Sequence, residues 1–228
     1  FTSVNFNMMI MVIYALITIA IFGMWYYARY EGNFLPSPKK TFNPMMLVAI
    51  VILVPGTQFA ANFIANLTGY IRPDWLQQYN ELFETSGITD TTFVTVLYSV
   101  ILAPICEELI FRGVTMRCAR KALPFALANL IQAALFGLFH LNWIQGIYAF
   151  ALGIVLGYVC ERGGSIYYSI GLHLLFNLWG TLSGFFPDPG NSVVIFVIVI
   201  AVTIVSLVVG FVLFNKGRRK LPINSTGI

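Results

Sequence analysis

Charge is what this sequence has least of. Only 10% of its 228 residues are charged, 58% are hydrophobic, and the mean hydropathy is +0.82. That polar content is too small to cover the surface of a water-soluble globule. The apolar runs are continuous and lack the short polar–apolar alternation of membrane strands, which excludes a closed barrel. The composition therefore predicts a membrane protein built from helices.

The long apolar runs predict about seven membrane spans. The clearest covers residues 193–214, interrupted only by Thr203, Ser206 and Gly210, and it is long enough to cross a hydrocarbon core of about 30 Å. Pro55-Gly56 interrupts the second run, which neighbouring helices can accommodate. We expect an all-α, polytopic transmembrane helical bundle that forms one integral membrane domain over residues 1–228. The other runs start near Met8, Pro44, Thr92, Pro124, Trp143 and Ser165.

The basic residues predict the orientation of the bundle. Lys and Arg near helix ends are retained in the cytoplasm, and with seven spans one orientation leaves only Arg72 outside. The N-terminus is then outside and the C-terminus cytoplasmic, in the cell membrane. The net charge of +4 is a topology signal that favours anionic lipid headgroups as partners, and it does not indicate nucleic acid. The cytoplasmic set is Arg29, Lys39, Lys40, Arg112, Arg117, Arg120, Lys121, Arg162, Lys216, Arg218, Arg219 and Lys220.

Cysteine is also scarce. Cys106, Cys118 and Cys160 fall in or beside spans toward the cytoplasmic end, where disulfides are disfavoured, so we expect free thiols. A thiol mechanism at Cys106 is disfavoured because a residue adjacent to a glutamate on a helix points in another direction.

The longest gap between spans, roughly residues 71–90, predicts an amphipathic helix lying flat on the outer leaflet. Apolar residues recur there at helical spacing, and Asp74 with Gln77 resembles a capping box. Gly87 is predicted to end this helix. An ordinary connector is favoured over a lid across a substrate site, and both interpretations stay open.

Ionisable residues inside the spans are the most informative feature. Each costs about 2.5 to 3.5 kcal/mol on insertion scales, so each requires a role. The protein contains two histidines, and both lie in apolar runs. The set consists of Glu107, Glu108, His140 and His173, accompanied by Arg112 and Asn177.

Helical spacing separates the two glutamates. Glu108 lies four residues before Arg112 and can pair with it on one helix face. Glu107 points about 100° away and is less able to share that partner. We therefore predict that Glu108 anchors Arg112 and that Glu107 is free for chemistry. A purely structural Glu-Glu-Arg cluster at a helix end is the alternative on this segment.

Register places Glu107 and His140 at a similar depth. The third and fourth helices form a hairpin that turns near Leu123-Pro124, and each side chain lies about 16 residues, or ~25 Å, from that turn. His173 and Asn177 share a face of the sixth helix at a compatible depth. Phe136, one turn before His140, is predicted to pack against the imidazole.

Peptide-bond hydrolysis fits this constellation. Glu107 could take a proton from a water held jointly with His140, and His173 and Asn177 could donate hydrogen bonds to the resulting oxyanion. Zinc is the rival chemistry, because two histidines and a glutamate can form a catalytic metal site. The HExxH helix is absent, so no cofactor is predicted, although zinc stays open.

Three ordered motifs resemble the signature of the CPBP family, the CAAX proteases and bacteriocin-processing enzymes, also called Abi proteins. The resemblance covers residues 92–181, which we take as the catalytic core. It implies an intramembrane endopeptidase of glutamic type, similar to the Ras-converting CAAX endopeptidase, in which Glu107 and His140 activate water and His173 and Asn177 form the oxyanion site. The motifs are Glu107-Glu108-x-x-x-Arg112, Phe136-x-x-x-His140 and His173-x-x-x-Asn177.

The expected substrate is a membrane-associated peptide or protein, lipidated or not. The short chain favours a bacterial member that acts in bacteriocin maturation or self-immunity. One alternative is a non-catalytic immunity or regulatory protein that binds a bacteriocin or a signalling partner. A proton-coupled transporter also uses buried Glu and His, but no internal repeat supports it.

Overall fold

The computed structural model describes residues 3–28, 42–86, 92–183 and 192–217. Within these ranges the chain is helical and has no strand, which confirms the predicted fold class. Apolar runs too long for strands satisfy their backbone internally as helices. We label the helices α1 Ser3–Tyr26, α2 Pro44–Ile71, α3 Pro73–Ser86, α4 Phe93–Arg120, α5 Phe125–Phe139, α6 Trp143–Gly163, α7 Ile166–Ser183 and α8 Val193–Gly217.

Five of these helices, α1, α2, α4, α6 and α8, are long and apolar enough to cross a membrane. Helix α5 is apolar but has 15 residues, about 22 Å of helix against a hydrocarbon core of about 30 Å. Helix α7 has 18 residues and is not among the five. Several apolar helices define a multi-pass membrane protein. The count of seven spans and the outside N-terminus stay predictions.

Helices α2 and α8 form the most extensive helix pair. Pro55 lies inside α2, and the next residue, Gly56, donates its backbone N–H to the Ser206 hydroxyl of α8 at 2.9 Å. The same hydroxyl donates to the Ile52 carbonyl, which a regular helix would pair with Gly56. Ser206 is therefore inserted into the backbone ladder of α2, and the expectation that a neighbouring helix accommodates Pro55-Gly56 is confirmed.

Replacing Ser206 by alanine should destabilise the bundle by about 0.6 to 1.7 kcal/mol, the range for hydrogen bonds between membrane helices. Equilibrium unfolding in mixed micelles measures this change. Thr203→Ala is the matched control, because the Thr203 hydroxyl donates to Val199 within its own helix at 2.7 Å. Equal losses in the two variants would contradict the role given to Ser206.

One end of the bundle is held together by Asn43, the residue before α2. Its side chain accepts a hydrogen bond from the Met45 N–H and donates to the carbonyl of Gly217 at 2.7 Å. Its backbone N–H donates to the Tyr168 hydroxyl on α7 at 2.9 Å. The start of α2, the end of α8 and the first turns of α7 therefore lie at the same end, which we call the basic end because Arg120, Lys121, Arg162 and Lys216 belong to it.

Helix α3 lies at the opposite end and packs on α6. The indoles of Trp75 and Trp143 stack at 5.3 Å, and the Tyr79 side chain is hydrogen-bonded to Tyr148.

The predicted helix is confirmed, but the predicted capping box is wrong: α3 begins at Pro73, so Asp74 is already helical. Asp74 instead pairs with Arg72 at 2.7 Å, which lowers the pKa of its carboxyl, and Gln77 donates to Glu81. Gly87 lies outside the described residues, and connector and lid both stay possible interpretations.

All three cysteines are free, as predicted. Cys106 and Cys160 are buried, and Cys118 is exposed.

Candidate active site

Helix α4 carries the two glutamates on a short α-helical turn between two wider stretches. Residues Ala103–Glu108 are α-helical, whereas Leu97–Leu102 and Leu109–Met116 are π-helical. Pro104 has no N–H to donate, so the regular ladder cannot continue through it. Wide turns of this kind are frequent at functional sites, and hydropathy did not predict them.

Glu108 and Arg112 form the predicted ion pair. Arg112 Nη1 donates to Glu108 Oε1 at 2.8 Å, and both side chains are 0% exposed. The guanidinium also donates to the Gly153 carbonyl of α6 at 3.2 Å and lies 4.5 Å from the centre of the Phe136 ring. Arg112 therefore joins α4 to both α5 and α6.

His173 lies between the two carboxylates. Its Nδ1 is 2.9 Å from Glu108 Oε1, and its Nε2 is 3.6 Å from Glu107 Oε2. The first distance is a hydrogen bond, and the second is an ion-pair distance too long for one. A carboxylate accepts only, so Nδ1 carries a proton. Helical spacing predicted a single partner for Glu108, Arg112, and did not predict this contact with His173.

His140 lies at the tip of the hairpin between α5 and α6. It caps the C-terminus of α5, and Leu141 next to it has φ 54°, a left-handed conformation that turns the chain directly into α6. The His140 Nδ1 is 2.8 Å from the Phe136 carbonyl, which can only accept. The Nδ1 of His140 therefore carries a proton, and in the neutral imidazole its Nε2 is an acceptor.

Phe136 packs between the two histidines. Its ring centre is 4.9 Å from that of His140 and 5.7 Å from that of His173, both edge-on. The predicted contact of Phe136 with the His140 imidazole is confirmed. No direct hydrogen bond joins His140 to Glu107, two residues that lie in the described ranges, so the water predicted to join them stays a prediction.

Asn177 lies one turn after His173 on α7. Its Nδ2 donates to the Ser99 carbonyl, in the first π-helical stretch of α4, at 2.8 Å. An amide nitrogen has two hydrogens, so this bond leaves one for another acceptor. The structure thus brings Glu107, Glu108, Arg112 and His173 into direct contact, with His140 joined through Phe136.

Two amides that the sequence analysis did not single out support this cluster. Gln132 Nε2 donates to the Gly153 carbonyl at 2.8 Å, the same oxygen that Arg112 contacts, and to Asn129 Oδ1 at 2.7 Å. Asn129 donates in turn to the Ile154 carbonyl at 3.0 Å. The available signal was position, because residues 129, 132, 136 and 140 lie along one face of α5.

Gly157 allows the two amides to approach α6. A Cβ atom there would lie 1.9 Å from Asn129 Oδ1 and 2.7 Å from Gln132 Nε2. Gly157→Ala should therefore displace α5 and lower both the unfolding temperature and any peptide cleavage. Gly171→Ala on α7 is the control, since a Cβ there meets nothing within 4 Å and alanine favours helix. Thermal unfolding of the two proteins in detergent checks this, and equal midpoints would contradict it.

A catalytic metal is the rival chemistry for these residues. Within the described ranges, no three His, Cys, Asp or Glu side chains are placed to hold one ion together. His173 Nδ1 donates to Glu108 and His140 Nδ1 donates to a carbonyl, which leaves the Nε2 atoms of both histidines available. Zinc therefore stays the open alternative of the sequence analysis, and we derive no step through it.

The comparison with protein families agrees with the motifs. Residues 89–179 match the family described as "Type II CAAX prenyl endopeptidase Rce1-like". This segment, less than half of the chain, contains all seven motif residues. No curated protein and no solved structure matches the chain. The resemblance to the CPBP family over residues 89–179 is confirmed by this match, which supports a CAAX-type endopeptidase, a protease, at family level.

Proposed function

We propose that this protein is an intramembrane endopeptidase in which Glu107 activates water to cleave a membrane-associated peptide or protein. The observation that carries the proposal is the position of His173 between Glu107 and the buried Glu108–Arg112 pair. Glu107 and Glu108 lie in different environments, so we assign them different roles.

Glu107 is the general base in this mechanism. Its side chain is 16% exposed, whereas Glu108 is fully buried and paired with Arg112. Only Glu107 of the two can therefore reach a water molecule. His140 offers its Nε2 lone pair, which can accept a hydrogen bond from that water and orient it, because its Nδ1 proton is held by the Phe136 carbonyl.

Peptide hydrolysis proceeds in two steps, and Glu107 carries one proton from water to the leaving nitrogen. Glu107 takes a proton from water while the water oxygen attacks the peptide carbonyl carbon, and the carbonyl oxygen becomes an oxyanion. Glu107 then gives the proton to the peptide nitrogen as the carbon–nitrogen bond breaks. The products are a carboxylic acid and an amine.

His173 and Asn177 stabilise the oxyanion. Glu107, Glu108 and Arg112 together carry one net negative charge, so a proton on His173 makes the cluster neutral. In that form its Nε2–H can donate to an oxyanion while Nδ1–H stays on Glu108. The remaining N–H of Asn177, one turn further along α7, is the second donor. Glu108 thus orients His173 as well as anchoring Arg112.

The family name supports a peptide with a prenylated C-terminus as the substrate class, and a role in bacteriocin maturation or immunity stays within this proposal. The test uses wild-type protein in liposomes with one quenched fluorescent peptide, prepared with and without a prenyl chain. Each peptide is measured with and without a chelator. Cleavage that survives the chelator supports the glutamic mechanism. Cleavage lost to the chelator and restored by zinc would overturn it.

A further inference from the structure

A cavity opens at the basic end, between α5, α6 and α8, and it meets the residues that support the catalytic cluster at Asn129. Its volume is about 530 Å³, within the range of about 300–1,000 Å³ for small-molecule pockets. The wall is apolar except for the Asn129 amide and the Tyr158 hydroxyl, and the exposure of Ala126 and Leu130 opens it to the lipid-facing side. The residues used below are Phe125, Ala126, Leu130, Tyr158 and Phe211.

One guanidinium lies at the edge of this cavity. Arg162, exposed at the end of α6, is 6.0 Å from the ring centre of Phe125 and 5.7 Å from that of Tyr158. Both rings line the cavity. No carboxylate pairs with Arg162 within the part of the chain that the structure describes. The cavity therefore combines an apolar interior with an uncompensated positive charge at its edge.

The charges near Arg162 favour an anion. Among the described residues, the acidic side chain at the basic end is Glu161, and its carboxylate is paired with Arg120 at 3.0 Å. Lys121 and Lys216 add exposed positive charge at the ends of the neighbouring helices. Basic clusters between membrane helices attract anionic headgroups, whereas a zwitterionic headgroup brings no net charge to such a cluster.

We infer that this cavity binds one anionic phospholipid from the surrounding bilayer. Its phosphate lies on Arg162, and one acyl chain lies in the cavity along Ala126 and Leu130. The wall that faces α8 is fixed, because the Tyr158 hydroxyl donates to Asn215 Oδ1 at 2.8 Å. The bound lipid therefore bridges α5 to the α6–α8 pair at a place where protein contacts leave a gap. This inference does not depend on the proposed catalytic chemistry.

Native mass spectrometry of the purified full chain, titrated with phosphatidylglycerol or with phosphatidylcholine of the same acyl chains, tests the inference. Wild type should bind the first lipid more tightly. Arg162→Ala should weaken phosphatidylglycerol binding about fivefold, the effect of about 1 kcal/mol for one basic residue at an anionic surface, with little effect on phosphatidylcholine. Arg162→Lys should retain most of the preference.

Two further variants separate the charge from the cavity. Ala126→Trp keeps Arg162 but fills the cavity, and it should weaken binding of both lipids. Arg72→Ala removes a positive charge at the opposite end of the bundle and should leave the preference intact. Equal binding of the two lipids by wild type, or an equal loss in Arg72→Ala, would overturn the inference. Unchanged binding in Ala126→Trp would overturn the placement of the acyl chain.

Discussion

Peptide cleavage by the Glu107→Gln protein is expected to be about 10²- to 10⁴-fold slower than by wild type, the contribution of a positioned general base. Glutamine has nearly the shape of glutamate and keeps an acceptor oxygen facing His173, but it cannot take a proton from water. The loss should therefore fall on kcat, with KM little changed. Initial rates on the quenched peptide in liposomes measure both parameters.

The matched control for this substitution is Glu161→Gln. Glu161 is a glutamate near the end of α6 that is about one-third exposed, and its partner is Arg120 at the surface. Its loss should leave the rate nearly unchanged, because this pair lies at the basic end, and such exposed pairs contribute only about 0–1 kcal/mol to stability. His140→Ala is the second active-site variant. Undiminished cleavage by both Glu107→Gln and His140→Ala would refute the mechanism and favour the non-catalytic binding protein.

The Arg112→Met protein is expected to lose about 3 to 5 kcal/mol of folding stability, the cost of leaving a buried charge without its partner. Arg112 and Glu108 are both 0% exposed, so no water replaces the missing guanidinium. The substitution also removes the bond to Gly153 and the contact with Phe136. Equilibrium unfolding in mixed micelles measures the change.

A second substitution distinguishes charge from packing. Adding Glu108→Gln to Arg112→Met removes the stranded carboxylate but keeps an acceptor for His173, so most of the lost stability should return. Arg120→Met is the control, since it breaks an Arg–Glu pair that is about one-third exposed on both sides. Its cost should stay at about 0–1 kcal/mol. Similar losses in Arg112→Met and Arg120→Met would show that burial does not set the cost.

The fold was predictable where the sequence encodes it locally. The run from Val193 is continuous and apolar, and the structure has a helix over Val193–Gly217. Local sequence could not predict the two π-helical stretches of α4 or the hydrogen bonds of Ser206 to the backbone of α2. Both depend on which neighbouring helix meets a given turn, and hydropathy contains no such information.

In the active site, too, local contacts were predictable and contacts between distant helices were not. The Glu108–Arg112 pair was predictable because four residues of helix bring the side chains together. The contact of His173 with Glu108 joins residues 65 positions apart, and only the packing of α7 on α4 creates it. Gln132 and Asn129 were missed because they are uncharged and, unlike Asn177, lie two or more turns from the histidine at the end of their helix.

The Ser206 hydroxyl also bears on how the protein is made. It lies 150 residues after Gly56, so the ribosome completes α2 long before its missing hydrogen-bond partner exists. Until α8 enters the membrane, the Gly56 N–H and the Ile52 carbonyl can satisfy each other only through the regular helical bond between them. The two hydrogen bonds to Ser206 form only when α8, the last described helix, arrives, so this turn of α2 reaches its final form after most of the chain has been made.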